Sequence, residues 1–154
     1  MSKRYIDVAG VRIGGGAPVS IQSMTTADTA DTQSVLAQIR ELEEAGCELV
    51  RVAAYDLNSA KNIRNIVDGT SLPIIADVHF DAGIAIAAIE AGAHKVRINQ
   101  GNIGSRDKIE SVVRAAKMAG VPIRVGANSG SLAKDYAGLK LSDALVESAL
   151  SNVR

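Results

Sequence analysis

The sequence predicts an α/β fold, a parallel sheet of about five strand–helix units behind an N-terminal β-hairpin. Two observations point there. Residues 43–54 (EEAGCELVRVAA), 89–100 (IEAGAHKVRINQ) and 118–128 (MAGVPIRVGAN) repeat one plan: an amphipathic run ends in Ala-Gly, a short gap follows, and an apolar run broken by one Arg comes next. The stretches between apolar runs carry 3.6-residue periodicity, so strands and helices alternate, and nearly continuous apolar strands mark a parallel sheet covered by helices.

Each element follows in order. Residues 5–15 alternate Ile6, Val8, Val11 and Ile13 around Ala9-Gly10, a hairpin pattern suited to plugging the N-terminal mouth of a barrel. Gly14-Gly15-Gly16 precedes the first strand of the series, the wrong side for a phosphate loop, and reads as a turn. Strands are expected to begin near residues 19, 49, 73, 95 and 122. The first helix carries Val35, Leu36, Ile39 and Leu42 between an Asp31 cap and a Gly46 stop. Asn58 is expected to cap a second, carrying Ile63, Ile66 and Val67 and closed by Gly69. Asp81 precedes Ile84, Ala85, Ala88 and Ile89 with Gly92 after them; Ser105 precedes Ile109, Val112, Val113 and Ala116 with Gly120 after them. Ser142 is expected to cap a last helix through Leu145, Val146, Ala149 and Leu150.

These units average about 26 residues, and a closed eight-unit barrel needs about 250. Five units therefore fit either an open α/β sheet or a piece of a barrel. The 154 residues are 47% hydrophobic and 22% charged, which argues against wholesale disorder. Lys plus Arg is 17 and Asp plus Glu is 17, so no excess of positive charge argues for nucleic acid or an anionic membrane as partner. Aromatic residues are 3%, too few for a base-stacking platform. No apolar stretch approaches a membrane span, and the N-terminus lacks a secretory core, so the expectation is a cytoplasmic protein. The single cysteine, Cys47, excludes a disulfide framework and, by itself, any iron–sulfur site; it reads as a buried structural residue.

In parallel α/β folds the chemistry gathers at the carboxyl ends of strands. Reading those ends gives Arg51, then Asp77 and His79, then Arg97 and Asn99, then Arg124 and Asn128. Side chains two apart on a strand share a face, so Asp77 pairs with His79, Arg97 with Asn99, and Arg124 with position 126 and, if the strand runs on, Asn128. One Arg inside an apolar strand is explained by a solvated end or a carboxylate partner. Three at matching positions of three units point to function: they would converge on one rim and leave positive charge for an anion, and Arg favours bidentate phosphate or carboxylate, so a diphosphate-sized ligand fits. The Gly-rich loops at 99–104 and 126–132 have backbone N–H groups that could cradle phosphate, although neither matches a P-loop or dinucleotide fingerprint. Asp77 and His79 read as an acid–base or substrate-orienting pair, or as a structural His satisfied by a carboxylate. A metal site lacks a third ligand, since His94 lies at the opposite end of its unit. Lys95 opens its strand at the wrong end for a Schiff-base aldolase.

The motifs 19–26 (VSIQSMTT), 74–81 (IIADVHFD), 96–104 (VRINQGNIG) and 124–132 (RVGANSGSL) occur in order, and with them the chain from Tyr5 onward resembles the 4-hydroxy-3-methylbut-2-en-1-yl diphosphate synthases of the methylerythritol phosphate route to isoprenoids. The resemblance implies a partial TIM barrel, with residues 1–154 forming its N-terminal portion: the 5–15 hairpin, then βα units across 17–154. It implies that Arg51, Arg97 and Arg124 hold 2-C-methyl-D-erythritol 2,4-cyclodiphosphate, and that Asp77, His79, Asn99 and Asn128 supply polar substrate contacts. The family's reaction opens the ring reductively, consuming two electrons and losing the C3 hydroxyl as water. Its electrons come from ferredoxin or flavodoxin through a 4Fe–4S cluster on a C-terminal domain expected to be absent here, so the chain alone is expected to be inactive. A homo-oligomer is expected, because a partial barrel leaves open edges. Another phosphate-handling or pterin-binding barrel, or a non-catalytic anion-binding module, are the alternatives.

Overall fold

The computed structural model describes residues 3–79, 81–99, 105–126 and 138–151. Strands β1 (Tyr5–Val8) and β2 (Val11–Gly14) pair antiparallel through a two-residue loop. Ala9 (φ 47°) and Gly10 (φ 94°) both adopt positive φ, as the mirror-image turn favoured in hairpins demands. The Asp7 carboxylate accepts from the Gly10 N–H at 2.8 Å and steadies it.

Five parallel strands follow: β3 (Gln22–Met24), β4 (Leu49–Ala54), β5 (Ile74–Val78), β6 (Lys95–Asn99) and β7 (Ile123–Gly126). They lie side by side in chain order, β3-β4-β5-β6-β7. A doubly wound sheet reverses its order at a switch point and takes helices on both faces. Here the order never reverses, the winding of a barrel wall. The first strand begins three residues later than the sequence suggests, because only residues 22–24 find ladder partners on β4, while Val19 stands in solvent.

The helices are α1 (Thr32–Glu44), α2 (Leu57–Asp68), α3 (Ala82–Glu90), α4 (Arg106–Ala119) and α5 (Leu141–Ser151). Asp31 caps α1 and Asp81 caps α3 through their carboxylates. The cap of α2 is Asp56 rather than Asn58. Asp56 accepts from the Ser59 N–H at 2.7 Å while the Ser59 hydroxyl reaches back to the Asp56 N–H at 3.1 Å, a reciprocal box that starts the helix at Leu57. Ser105 takes the cap position of α4 without a side-chain bond, and Gly120 ends that helix at φ 67°. The last helix starts at Leu141, so Ser142 lies inside its first turn instead of capping it.

One face of the sheet is apolar. Val50, Val52, Ala54, Ile74, Ala76, Val78, Val96 and Ile98 pack against Val35 and Ile39 of α1, Ile63 and Ile66 of α2, Ala85 and Ala88 of α3, and Val112 and Ala116 of α4. At about 25 cal/mol per Å² of apolar area, this layer dominates the stability of the chain. On the opposite face Leu49 and Ile75 meet Val8, with Val11 and Ile13 beside them. The hairpin thus seats on the low, amino-terminal end of that face.

Candidate functional site

Strand alternation sends Arg51, Asp77, Arg97 and Arg124 to the face turned away from the helices. The ladders place Asp77 opposite Arg97, and Arg97 opposite Arg124, so three charged residues occupy one layer across β5, β6 and β7. Arg51 faces Ile75, one layer lower, and its long side chain rises to join them. Asp77 is the centre. Its carboxylate, only 2% exposed, has Oδ1 3.0 Å from Nη1 of Arg97 and Oδ2 3.2 Å from Nε of Arg51. Nε2 of His79, at the mouth, lies 3.5 Å from the same Oδ2. The Tyr55 ring stands 6.3 Å from the imidazole, centroid to centroid.

Two of the three arginines are therefore not left unpaired, as the sequence suggests. Arg51 and Arg97 share one buried carboxylate, because charges withdrawn from water at this depth persist only when paired. Positive charge still predominates. The described charged side chains on this face are Arg51, Lys95, Arg97 and Arg124 against Asp77 alone. Arg124 is exposed. Asn99 ends β6 opposite Gly126, but its side chain lies outside the described residues, as does all of Asn128.

Sequence reasoning missed three participants. The Met24 thioether of β3 accepts from Nε and Nη2 of Arg51, at 3.2 and 3.1 Å, and steers that guanidinium. Gly126 of β7 lies directly against the Arg97 guanidinium. Lys95 is buried on the same face as Arg97, two residues below it, and burial plus the positive charge of Arg124 push its ammonium below the ordinary lysine range. A parity count from Arg97 would have found Lys95 on the same strand; Met24 is placed by the register of β3 on β4, and nothing in the sequence marks the contact of Gly126.

The loop after β3 is fixed at the mouth: Oε1 of Gln38 accepts from the Thr26 and Ala27 N–H groups at 2.9 and 3.0 Å. Between this loop and the end of β4 opens a hollow of about 710 Å³, lined by Met24, Thr25, Ala53 and Tyr55 among others. A second hollow, about 530 Å³ and lined by Asp7, Arg64, Glu90 and His94, opens at the amino-terminal end, away from the cationic layer.

A sequence model of the GcpE TIM-barrel domain matches residues 3–154. This chain belongs to the GcpE TIM-barrel family. Among curated relatives, the 4-hydroxy-3-methylbut-2-en-1-yl diphosphate synthase (flavodoxin) of Symbiobacterium thermophilum is 53% identical over 97% of this chain and 41% of its own length. Proteins of the same name from Desulfotalea psychrophila and Clostridium perfringens are 51% and 50% identical over 99% and 98% of this chain, and 44% of each of theirs. The chain thus spans about two fifths of these relatives. A mandelate oxidase mutant of solved structure superposes with a TM-score of 0.53 at 16% identity, covering 97% of this chain and 72% of that one, which supports the barrel-type fold alone.

The GcpE barrel described here does not fit a 4Fe–4S cluster. Its one cysteine, Cys47, is buried, with Sγ 3.0 Å from the Leu49 carbonyl oxygen, and no group of three metal-ligating side chains gathers among the described residues. No step through a cluster is derived for it. Among the described residues no helix is long and apolar enough to cross a membrane.

Proposed function

We propose that this chain is the substrate-binding barrel portion of an enzyme that reductively converts 2-C-methyl-D-erythritol 2,4-cyclodiphosphate into 4-hydroxy-3-methylbut-2-enyl diphosphate in isoprenoid biosynthesis. Electrons would come from a flavodoxin, the donor in the relatives' names, or a ferredoxin, and enter outside these residues. The observation that carries the reading is the layer in which Asp77 joins Arg51 and Arg97 while Arg124 stands in register beside them. Each guanidinium has five N–H donors, more than one carboxylate accepts, so the layer retains donors for the two phosphoryl groups. Arg124, exposed on that layer, is the arm that meets the anion first.

Asp77 orients. Both of its oxygens are engaged by cations, which suits it to fixing guanidiniums rather than moving protons. His79 is the group suited to proton delivery, since it lies at the mouth with Nε2 3.5 Å from Asp77, and imidazole is the side chain most often used for general acid–base work. In this reading it protonates the departing C3 hydroxyl, which leaves as water as the ring opens with two electrons. Asn99 and Asn128 complete the polar contacts. Self-association is part of this reading, and sedimentation that finds only monomer at high concentration counts against it.

Thermal stabilisation tests the ligand. The cyclic diphosphate should raise the melting midpoint more than inorganic diphosphate or sulfate does, and Arg97→Met should abolish the difference. Equal shifts with all three anions would reduce the site to a general anion binder.

A further inference from the structure

Gly126 occupies the last position of β7, opposite Asn99 and on the face that carries Arg97. Its φ is not positive, so the backbone there is open to any L residue. Space is the constraint. A Cβ built on Gly126 would stand 2.8 Å from Nη2, 2.9 Å from Nε and 3.2 Å from Cζ of Arg97, meeting the whole edge of the guanidinium. The opposite end of that guanidinium presents Nη1 to Asp77 at 3.0 Å. Arg97 is thus held between a carboxylate on β5 and a bare Cα on β7.

We propose that Gly126 is a positioning residue for ligand binding: the missing side chain lets the Nε–Nη2 edge of the Arg97 guanidinium approach β7 while Nη1 keeps its bond to Asp77. The proposal deepens the diphosphate-binding reading and rests on it for its functional consequence, though not for its geometry. Carbon–nitrogen contacts below 3.0 Å must relax, and here the yielding atoms are the end of a flexible side chain rather than backbone. Gly126→Ala should therefore displace Arg97 and leave the fold standing, the opposite of what a buried backbone glycine does.

The test compares the full chain with Gly126→Ala, each alone and combined with Arg97→Lys. In the ligand-free proteins, the side-chain NMR signal of Arg97, assigned by its loss in Arg97→Lys, should move in Gly126→Ala. The dissociation constant for inorganic diphosphate should rise about tenfold, a loss of roughly 1.4 kcal/mol, while the melting midpoint changes by only a few degrees. In the Arg97→Lys background the alanine should cost less than about threefold in affinity, because a lysine lacks the planar end that meets the new methyl. An unmoved Arg97 signal, an equal affinity loss in both backgrounds, or a collapsed melting midpoint would each overturn the proposal. Failure of the unsubstituted chain to bind diphosphate at all would overturn the functional reading instead, and the Arg97 signal would still decide the positioning role.

Discussion

Asp77 Oδ1 and Arg97 Nη1 lie 3.0 Å apart, both residues buried, on adjacent strands at the same level of the sheet. Removing the carboxylate would leave two guanidiniums facing each other with no counter-charge. Asp77→Asn should therefore cost about 3 kcal/mol in urea denaturation, the range found when one partner of a buried pair is lost. Asp77→Leu combined with Arg51→Met and Arg97→Met should recover most of that loss, since the apolar set carries no stranded charge. An asparagine variant as stable as the parent chain would show that Asp77 does not hold the layer together.

Much of this layer is legible in the sequence because strand geometry is periodic. Arg51, Arg97 and Arg124 break apolar runs at equivalent points of three repeats, and Asp77 with His79 shows the two-residue spacing of one face. What the sequence hides is lateral. Whether a guanidinium meets an anion or a neighbouring carboxylate depends on register between strands, and only the ladder placing Asp77 opposite Arg97 reveals the shared pairing. Periodicity alone leaves an open sheet and a barrel wall equally possible, since helical and strand periods are the same in both; the four family motifs point to the barrel, and the order of β3 through β7 agrees. Helix boundaries failed where two polar residues compete: Asp56 outbids Asn58 because Ser59 closes a reciprocal box with it.

That competition is testable. Asp56→Ala should lower the melting midpoint by a few degrees, since it frees the Ser59 N–H and opens the box, whereas Asn58→Ala should leave it nearly unchanged. Helical content and midpoint, followed by circular dichroism, check both. Equal effects would return the cap to Asn58.

His94 gives the chain an acid sensitivity. Its Nδ1 accepts from the Ile74 N–H at 3.0 Å, which requires the neutral ring, and burial lowers its pKa below the ordinary 6.5. The unfolded chain then binds the proton more readily than the folded one, so this contribution is complete above about pH 6.5 and is lost progressively as pH falls toward the lowered value. Urea midpoints measured from pH 7.5 downward should decline, and His94→Asn, whose side-chain oxygen can accept without titrating, should flatten that part of the profile. A His94→Asn profile parallel to that of the parent chain would assign the decline to other groups.

Lys95 predicts a gain. It is only 6% exposed, on the sheet face where its strand partner Ile75 packs with Val8 and Leu49. Burial and the nearby charge of Arg124 both disfavour its ammonium, so its folded pKa lies below 10.5 and the cost of the buried charge is present in full at neutral pH. Lys95→Met keeps the length of the stem, removes the charge and relieves Arg124, so it should raise the melting midpoint at pH 7 by several degrees. The unfolded chain holds the lysine proton more tightly than the folded chain between the lowered pKa and 10.5, so the parent's stability gains from this group as pH rises through that interval. The advantage of the methionine variant should therefore shrink as the medium is made alkaline. A methionine variant that melts lower than the parent at pH 7 would mean that the Lys95 ammonium stabilises this face.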